Sequence, residues 1–255
     1  MHWYGFNTLS RGYAILNYKL MENRSNKQTV LESYRKIIRD LDLSLVDSYI
    51  REDYIQHSPT VKDGKAGILE MLHFIKTLPR PTEIAPSPII RVIVEGDFVA
   101  VHLDIRFMGK RAAIIDLFRL QDGMLAEHWD AGQGIGDEDV DMTNGTTTIN
   151  EKANARESKM VVRQFYNSPL KAEGYLSPDF TEHNTTSTLL NWPDDLKMHR
   201  IMAEGNFVFA QCEGMKDGKV FALYHIFRVE AGKIAEHWSV EQEVPAIMAH
   251  GNGMF

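Results

Sequence analysis

A single cysteine, Cys212, stands in the 255 residues, so no disulfide can close within the chain and the fold holds without covalent staples. No stretch approaches the roughly 18 consecutive apolar residues of a membrane-crossing helix, which removes a membrane from the expected partners. Basic charge is short as well. The formal net charge of -7 supplies no field for phosphate backbones, and nucleic acid is not an expected partner. Missing too are a glycine-rich phosphate loop after a strand and a Gly-x-Ser-x-Gly elbow, which argues against nucleotide binding and serine-hydrolase chemistry. Cys212 lies in an apolar stretch and reads as a reduced core thiol, fitting a cytoplasmic protein. The opening MHWYGFNTLSRGYAILNYKLMENR is aromatic but lacks an uninterrupted apolar core and a small-residue cleavage site, so it is not read as a signal peptide. A disordered leader, an upstream start-site artefact and an arm packed on the rest all stay open for it.

What the chain does have is repetition. Residues 118–133 read FRLQDGMLAEHWDAGQ and residues 227–242 read FRVEAGKIAEHWSVEQ. The match extends without a gap over 91–133 and 200–242, at an offset of about 109 and with about 16 identities in about 43 positions. Upstream, Tyr54, Ile55, Gln56 and His57 correspond to Phe180, Thr181, Glu182 and His183, so the second copy lacks part of a helix or loop. With 44% hydrophobic residues, the chain can bury two ordinary cores. The expected organisation is an extension over 1–26, a first module over 27–135, a linker over 136–150, a shortened second module over 151–246 and a tail over 247–255.

Within the first copy, helical spacing of apolar residues predicts helices over 29–40, 43–49 and 64–77, with residues 53–57 turning inward between the last two. From 89 onward the period changes to that of strands, over 89–94, 98–107, 111–120 and 124–133, joined by tight glycine turns and therefore antiparallel. The second copy repeats the order: a helix over 152–167, then strands over 197–204, 207–215, 220–230 and 233–243. The fold class is therefore α+β, two tandem modules of helices packed on an antiparallel sheet.

Faces follow from the last hairpin. If the loop Gln121-Asp122-Gly123 is a three-residue turn, Asp116 lies opposite His128 and Ile114 opposite Asp130. Alternation then sends Ala126, His128 and Asp130 one way and Glu127, Trp129 and Ala131 the other; a two-residue turn would reverse that grouping.

These residues carry a family resemblance. Helices followed by a terminal hairpin reading Asp116-Leu117-Phe118-Arg119, Asp122-Gly123, Glu127-His128-Trp129-Asp130 resemble the SnoaL-like polyketide cyclase group of the nuclear transport factor 2-like superfamily, across both copies from about Asn26 onward. The resemblance implies a cone of helices closing over a bent sheet around a ligand cavity. It also implies intramolecular aldol condensation by an aspartate acting as general acid and base, which matches Asp130 here. The family's frequent histidine two residues before the Phe-Arg pair matches Asp116 in the first copy and His225 in the second, where Ser239 replaces the aspartate. Neither copy has the full pattern.

The chemistry fits two facing carboxylates: an apolar pocket and a second negative charge both disfavour the anion, leaving one group that alternates between acid and base near neutral pH. The expectation is a cofactor-independent cyclase or isomerase for a small apolar carbonyl compound, with Asp130, Asp116 and His57 catalytic. His102, Tyr54, His128, Trp129, His183 and His225 are the expected substrate-binding residues. Plainer roles stay open: Asp130 ending a strand, Asp116 on an exposed sheet face, and His57 and His183 tying a loop to the sheet. His128, Trp129, His237 and Trp238 recur in both copies, which favours packing or an interface for them. Glu127 and Glu236 are expected on the outer face, paired with Arg119 and Arg228. No metal is expected, since His57, His102, Asp116, His128 and Asp130 have no local ligand spacing. The competing expectation is a non-catalytic ligand-binding or scaffold protein whose modules pair within the chain, with further homodimerisation left open.

Overall fold

The computed structural model describes residues 24–79, 86–136, 141–168, 173–184, 186, 188–189 and 196–255; most of the 1–26 extension and part of the linker lie outside them. Ser25 starts the first helix, α1 (Asn26–Ser33), through a capping box in which its hydroxyl accepts the Gln28 N–H and the Gln28 side chain accepts the Ser25 N–H. The helix then widens into a π-helical stretch, Tyr34–Arg39. A 3-10 turn (Leu43–Leu45) and α2 (Val46–Tyr49) lead into β1 (Ile50–Gln56), followed by α3 (Gly64–Thr77). The sheet continues with β2 (Ile89–Glu95), β3 (Phe98–Phe107), β4 (Lys110–Gln121) and β5 (Met124–Gly134). After a 3-10 turn at Asp141–Thr143 come α4 (Ala155–Tyr166), β6 (Leu176–Glu182), β7 (Lys197–Glu204), β8 (Phe207–Lys216), β9 (Lys219–Glu230) and β10 (Lys233–Glu243).

Two five-stranded sheets result, ordered β1-β5-β4-β3-β2 and β6-β10-β9-β8-β7. The architecture is α+β in two modules, as the periodicity predicts. Two strands are additions: β1 and β6 run parallel to β5 and β10 at the edge of each sheet. β1 occupies residues expected to turn inward. Its Glu52 and Asp53 are exposed at the sheet edge, which interrupts the alternation that would have marked a strand. The connection 183–196 is shorter than its counterpart 57–88 and holds no equivalent of α3 among the described residues, which is where the second copy has lost its segment. No helix among the described residues is long and apolar enough to cross a membrane.

The hairpin β4–β5 differs from expectation in a way that matters for the site. Its loop has two residues, Asp122 and Gly123, both at positive φ (53° and 73°), the type I′ geometry in which glycine costs least. A two-residue turn alone would have reversed the faces. Instead Leu120 pairs with Leu125 but Arg119 pairs with Glu127, so Ala126 is an inserted bulge residue that moves the register by one. Asp116 therefore faces Asp130, and Phe118 faces His128, correcting the expected pairs Asp116–His128 and Ile114–Asp130. The hairpin β9–β10 repeats the device, and Ser239 faces His225.

Alternation along β4 and β5 sorts side chains into two cores. Phe118, Leu120 and Leu125 join Val30, Ile37, Tyr54, Ile68 and Leu72 beneath the helices of the first module. Ile115, Leu117, Trp129 and Ala131 point the other way and pack against Phe207, Tyr224, Ile226, Trp238 and Val240 of the second sheet. The face expected to be outer is thus the seam between the modules. Its contacts are reciprocal: the Gly132 N–H donates to Gln242 Oε1 (2.8 Å) and the Glu241 N–H to Gln133 Oε1 (3.1 Å). In the same way the Val94 N–H donates to Glu204 and the Ala203 N–H to Glu95, both at 2.7 Å. Arg91 lies 3.9 Å over the Trp238 ring, and Arg200 lies 4.0 Å over the Trp129 ring. Such exchange of equivalent contacts is the pattern of an isologous dimer, here within one chain.

Candidate active site

Asp116 sits on β4 between two seam residues, so its carboxylate points beneath the helices, and it is buried. Tyr34, at the start of the π-helical stretch, donates its hydroxyl to Asp116 Oδ2. The same ring meets Phe118 edge-on at 5.8 Å, and Phe118 stacks on His128 at 4.6 Å. Across the hairpin, Ser58 donates its hydroxyl to Asp130 Oδ2 (3.0 Å), while Asp130 Oδ1 is buried with no partner among the described residues. His128 Nε2 lies 3.5 Å from Asp116 Oδ1.

The hydrogen-bond network fixes the histidine's protons. Gln56 Oε1 accepts the backbone N–H groups of His57 (3.0 Å) and Ser58 (2.9 Å), so it is the carbonyl end of that amide. His128 Nδ1, 3.0 Å from the same oxygen, must then carry a proton. With Nε2 directed at a carboxylate, the ring is suited to be an imidazolium. Burial opposes that charge, but the Asp116 hydrogen bond and the charges of Asp116 and Asp130 raise the His128 pKa above its ordinary value. Asp130 is pushed up: burial raises it, the His128 charge opposes, and the Asp116 charge adds to the rise. Asp130 accepts only from Ser58, and its other oxygen has no partner among the described residues, which adds to the penalty on its anion. The Tyr34 and Tyr54 phenols are pushed well up, first by burial and then by the Asp116 charge, and stay donors.

Of the residues singled out from sequence, the structure brings together Asp130, Asp116, His128 and Tyr54. It does not bring the others to them. His57 points to the opposite face, stacks on Trp129 at 4.8 Å, and joins Glu127 Oε1 (2.9 Å) to the Gly253 carbonyl (3.0 Å). Its equivalent His183 stacks on Trp238 at 4.5 Å and joins Glu236 Oε2 (3.1 Å) to the Asp141 carbonyl (3.0 Å). Both tie a crossing segment to the sheet. His102 is also on the seam side, its Nδ1 accepting from Arg91 Nη1 (3.1 Å), and burial and the Arg91 charge push its pKa well down. Trp129 is buried in the seam. Glu127 and Glu236 take the expected partners, Arg119 and Arg228, though beside the seam and not on an outer face. His225 lies in the second module beside His237 (2.9 Å).

Tyr34, Ser58 and Gln56 were not singled out. Tyr34 falls at an apolar spacing position of the helix predicted over 29–40, and its polar tip is the available signal; Ser58 and Gln56 flank His57. Asp116, His128 and Asp130 also offer one ligand atom each, all within 4.8 Å of one another, a mixed oxygen and nitrogen set of the kind that suits a divalent cation. Two of the four carboxylate oxygens already accept hydroxyl protons, from Tyr34 and Ser58. An open depression of about 510 Å³ lined by Arg51, Asp53, Lys65 and Met124 lies apart from these groups.

The SnoaL-like domain family matches residues 31–128, a span that includes Tyr34, Ser58, Asp116 and His128 and stops two residues before Asp130. No curated protein matches the chain. Among solved structures, IdmH from Streptomyces antibioticus, a candidate polyketide cyclase, is 20% identical, covering 43% of this chain and 93% of its own, with a TM-score of 0.35. TsrD from Streptomyces laurentii is 21% identical over 44% of this chain and 90% of its own, with a TM-score of 0.35. An LEH-like epoxide hydrolase from M. tuberculosis is 18% identical over 34% and 84%, with a TM-score of 0.30. Residues 31–128 of this chain are similar to the SnoaL-like domain family.

Proposed function

We propose that the chain is a cofactor-independent acid/base catalyst, a cyclase or isomerase for a small apolar carbonyl compound, with Asp130 as the proton-transferring group of the first module. One observation carries this reading: Asp130 faces Asp116 across β4 and β5, with one oxygen held by Ser58 and the other buried and unpartnered among the described residues. A carboxylate whose pKa is raised by burial and by a neighbouring charge is a stronger base than an ordinary aspartate, suited to take a proton and to return it. In the proposed step, Asp130 Oδ1 takes a proton from the carbon next to a carbonyl, and the C–H electron pair moves into the enolate. In a cyclase the enolate carbon then bonds to a second carbonyl carbon of the same molecule, the C=O pair moves onto its oxygen, and Asp130 delivers the proton to that alkoxide; in an isomerase Asp130 delivers it to another carbon. The imidazolium form of His128 offsets the negative charge, and the Tyr54 phenol is the proposed donor to the carbonyl oxygen. The SnoaL-like match and the named relatives favour a reaction of this class. The same reading takes the chain as a tandem duplication, with modules over 27–135 and 151–246.

The alternative is a non-catalytic ligand-binding pseudo-dimer. Its support is that His57, expected to be catalytic, and His102, expected to bind substrate, serve the joint between modules instead. Deuterium exchange separates the two. A panel of cyclic enones and 1,3-diketones in D2O, followed by proton NMR, should show exchange next to a carbonyl with the wild type and loss of it with Asp130→Asn, while the variant still binds. Equal exchange with both proteins, or binding without exchange across the panel, favours the alternative.

A further inference from the structure

The second module replaces both carboxylates of the first, yet its equivalent groups form a connected chain of their own. Gln56 becomes Glu182, whose two oxygens lie 2.8 and 2.9 Å from His237 Nδ1. A carboxylate only accepts, so His237 Nδ1 carries a proton. His237 Nε2 lies 2.9 Å from His225 Nδ1, which occupies the place of Asp116. With both rings neutral, His225 Nδ1 donates to His237 Nε2, and the lone pair is left on His225 Nε2. That nitrogen is buried and has no partner among the described residues, on a residue with 0% exposure. Beside it the Tyr166 ring meets His225 edge-on at 6.1 Å, and its buried hydroxyl has no oxygen or nitrogen partner among the described residues, the weakly accepting Cys212 sulfur being beside it. Asn184 takes the place of Ser58 and donates to Ser239 Oγ (3.2 Å). The unpartnered acceptor His225 Nε2 therefore lies in a buried, largely apolar surrounding, with the Tyr166 and Phe227 rings beside its own.

We propose that the second module holds its own site, which binds a weakly acidic hydroxyl, phenolic or enolic, on an apolar body, and takes the hydroxyl proton onto His225 Nε2 while the positive charge passes through His237 toward Glu182. The balance is complete. The ligand O–H bond breaks toward oxygen, its proton joins His225 Nε2, and the His225 Nδ1 proton passes to His237 Nε2. The positive charge then rests on His237, against the Glu182 carboxylate, and not on His225. Burial and the His237 charge push the His225 pKa well down, so a relay that moves the cation away is what lets this ring act as a base. Glu182 is suited to receive it: burial raises its pKa, but the His237 charge and hydrogen bond and the N–H groups of Leu189 and Asn184 bring it below the ordinary value. In the first module Gln56 stands behind the histidine and cannot take that role, so the two sites place their carboxylates at opposite ends.

The test uses 4-nitrophenol, whose phenol and phenolate differ in visible absorbance, titrated into the full chain below the probe's solution pKa. The probe should bind wild type and Asp130→Asn alike and take the phenolate spectrum. His225→Gln should weaken binding about tenfold or more, the loss expected for one hydrogen bond to a buried acceptor. Glu182→Gln, which installs the residue the first module carries at Gln56, should keep the probe bound but return it to the phenol spectrum. Should His225→Gln fail to fold by circular dichroism, the Glu182→Gln spectrum decides alone. Absence of binding to wild type, equal binding by His225→Gln, an unchanged spectrum in Glu182→Gln, or loss of binding in Asp130→Asn each overturns the proposal.

Discussion

Glu236 should make this protein lose stability in acid through one identifiable joint. Its carboxylate accepts from Arg228 Nε, from the Thr146 hydroxyl and N–H, and lies 3.1 Å from His183 Nε2, so it ties the segment after β5 to the second sheet. Burial pushes its pKa up, but the Thr146, Arg228 and His183 hydrogen bonds bring it from 4.5 to about 2. The folded pKa is depressed, so the contribution is complete above the unfolded value of 4.5 and is lost as pH falls toward 2. At about 1.4 kcal/mol per pH unit this shift corresponds to about 3 kcal/mol, trimmed by solvent screening at the edge of the joint to about 2 kcal/mol. Glu236→Gln removes the ionisation and leaves other acid-sensitive groups in place. Urea unfolding of both proteins at pH 7, 5, 4 and 3 should show the wild-type advantage shrinking by about 1–1.5 kcal/mol across that range, the rest going only nearer pH 2. An advantage that stays constant from pH 7 to 3 would refute the reasoning.

Further predictions concern the same framework. Gly145→Ala should destabilise by about 1–3 kcal/mol in urea, because Gly145 has φ +83° and an added Cβ would lie 2.5 Å from Glu236 Oε2. Tyr34→Phe deletes the hydroxyl donor to a buried carboxylate and should cost about 1.5–3 kcal/mol, read from the urea midpoint. Trp238→Ala empties the seam beneath Arg91 and should cost about 3–5 kcal/mol; a change below about 1 kcal/mol would mean that the modules do not depend on this contact.

Much of this fold was legible because the chain states it twice. The glycine turns and alternating apolar residues of 89–133 fixed four strands, and the repeat carried them to 200–242. Ranges failed where a strand had polar neighbours, as at β1, since Arg51, Glu52 and Asp53 leave no period to read. Asp116 and Asp130 were found together for an imperfect reason: the turn was one residue shorter than expected, and the bulge at Ala126 restored the face. A bulge depends on how a hairpin packs against both cores, which local pattern does not report. His57 and His102 were misplaced because a histidine near a pocket and one in a seam look alike until the second sheet is docked on the first. Tyr34 was hidden by the reverse ambiguity, a phenol that counts as apolar in a helical stripe and acts through its oxygen.

The central claim is that Asp130 and Asp116 share one buried proton site with His128, and carbon-13 NMR of labelled aspartate carboxyls reads it without a substrate. Asp130 should titrate above the ordinary aspartate value of 3.8, and Asp116→Asn, by removing a neighbouring charge, should bring it down. Titration of Asp130 at the ordinary value, unchanged in Asp116→Asn, would contradict the account.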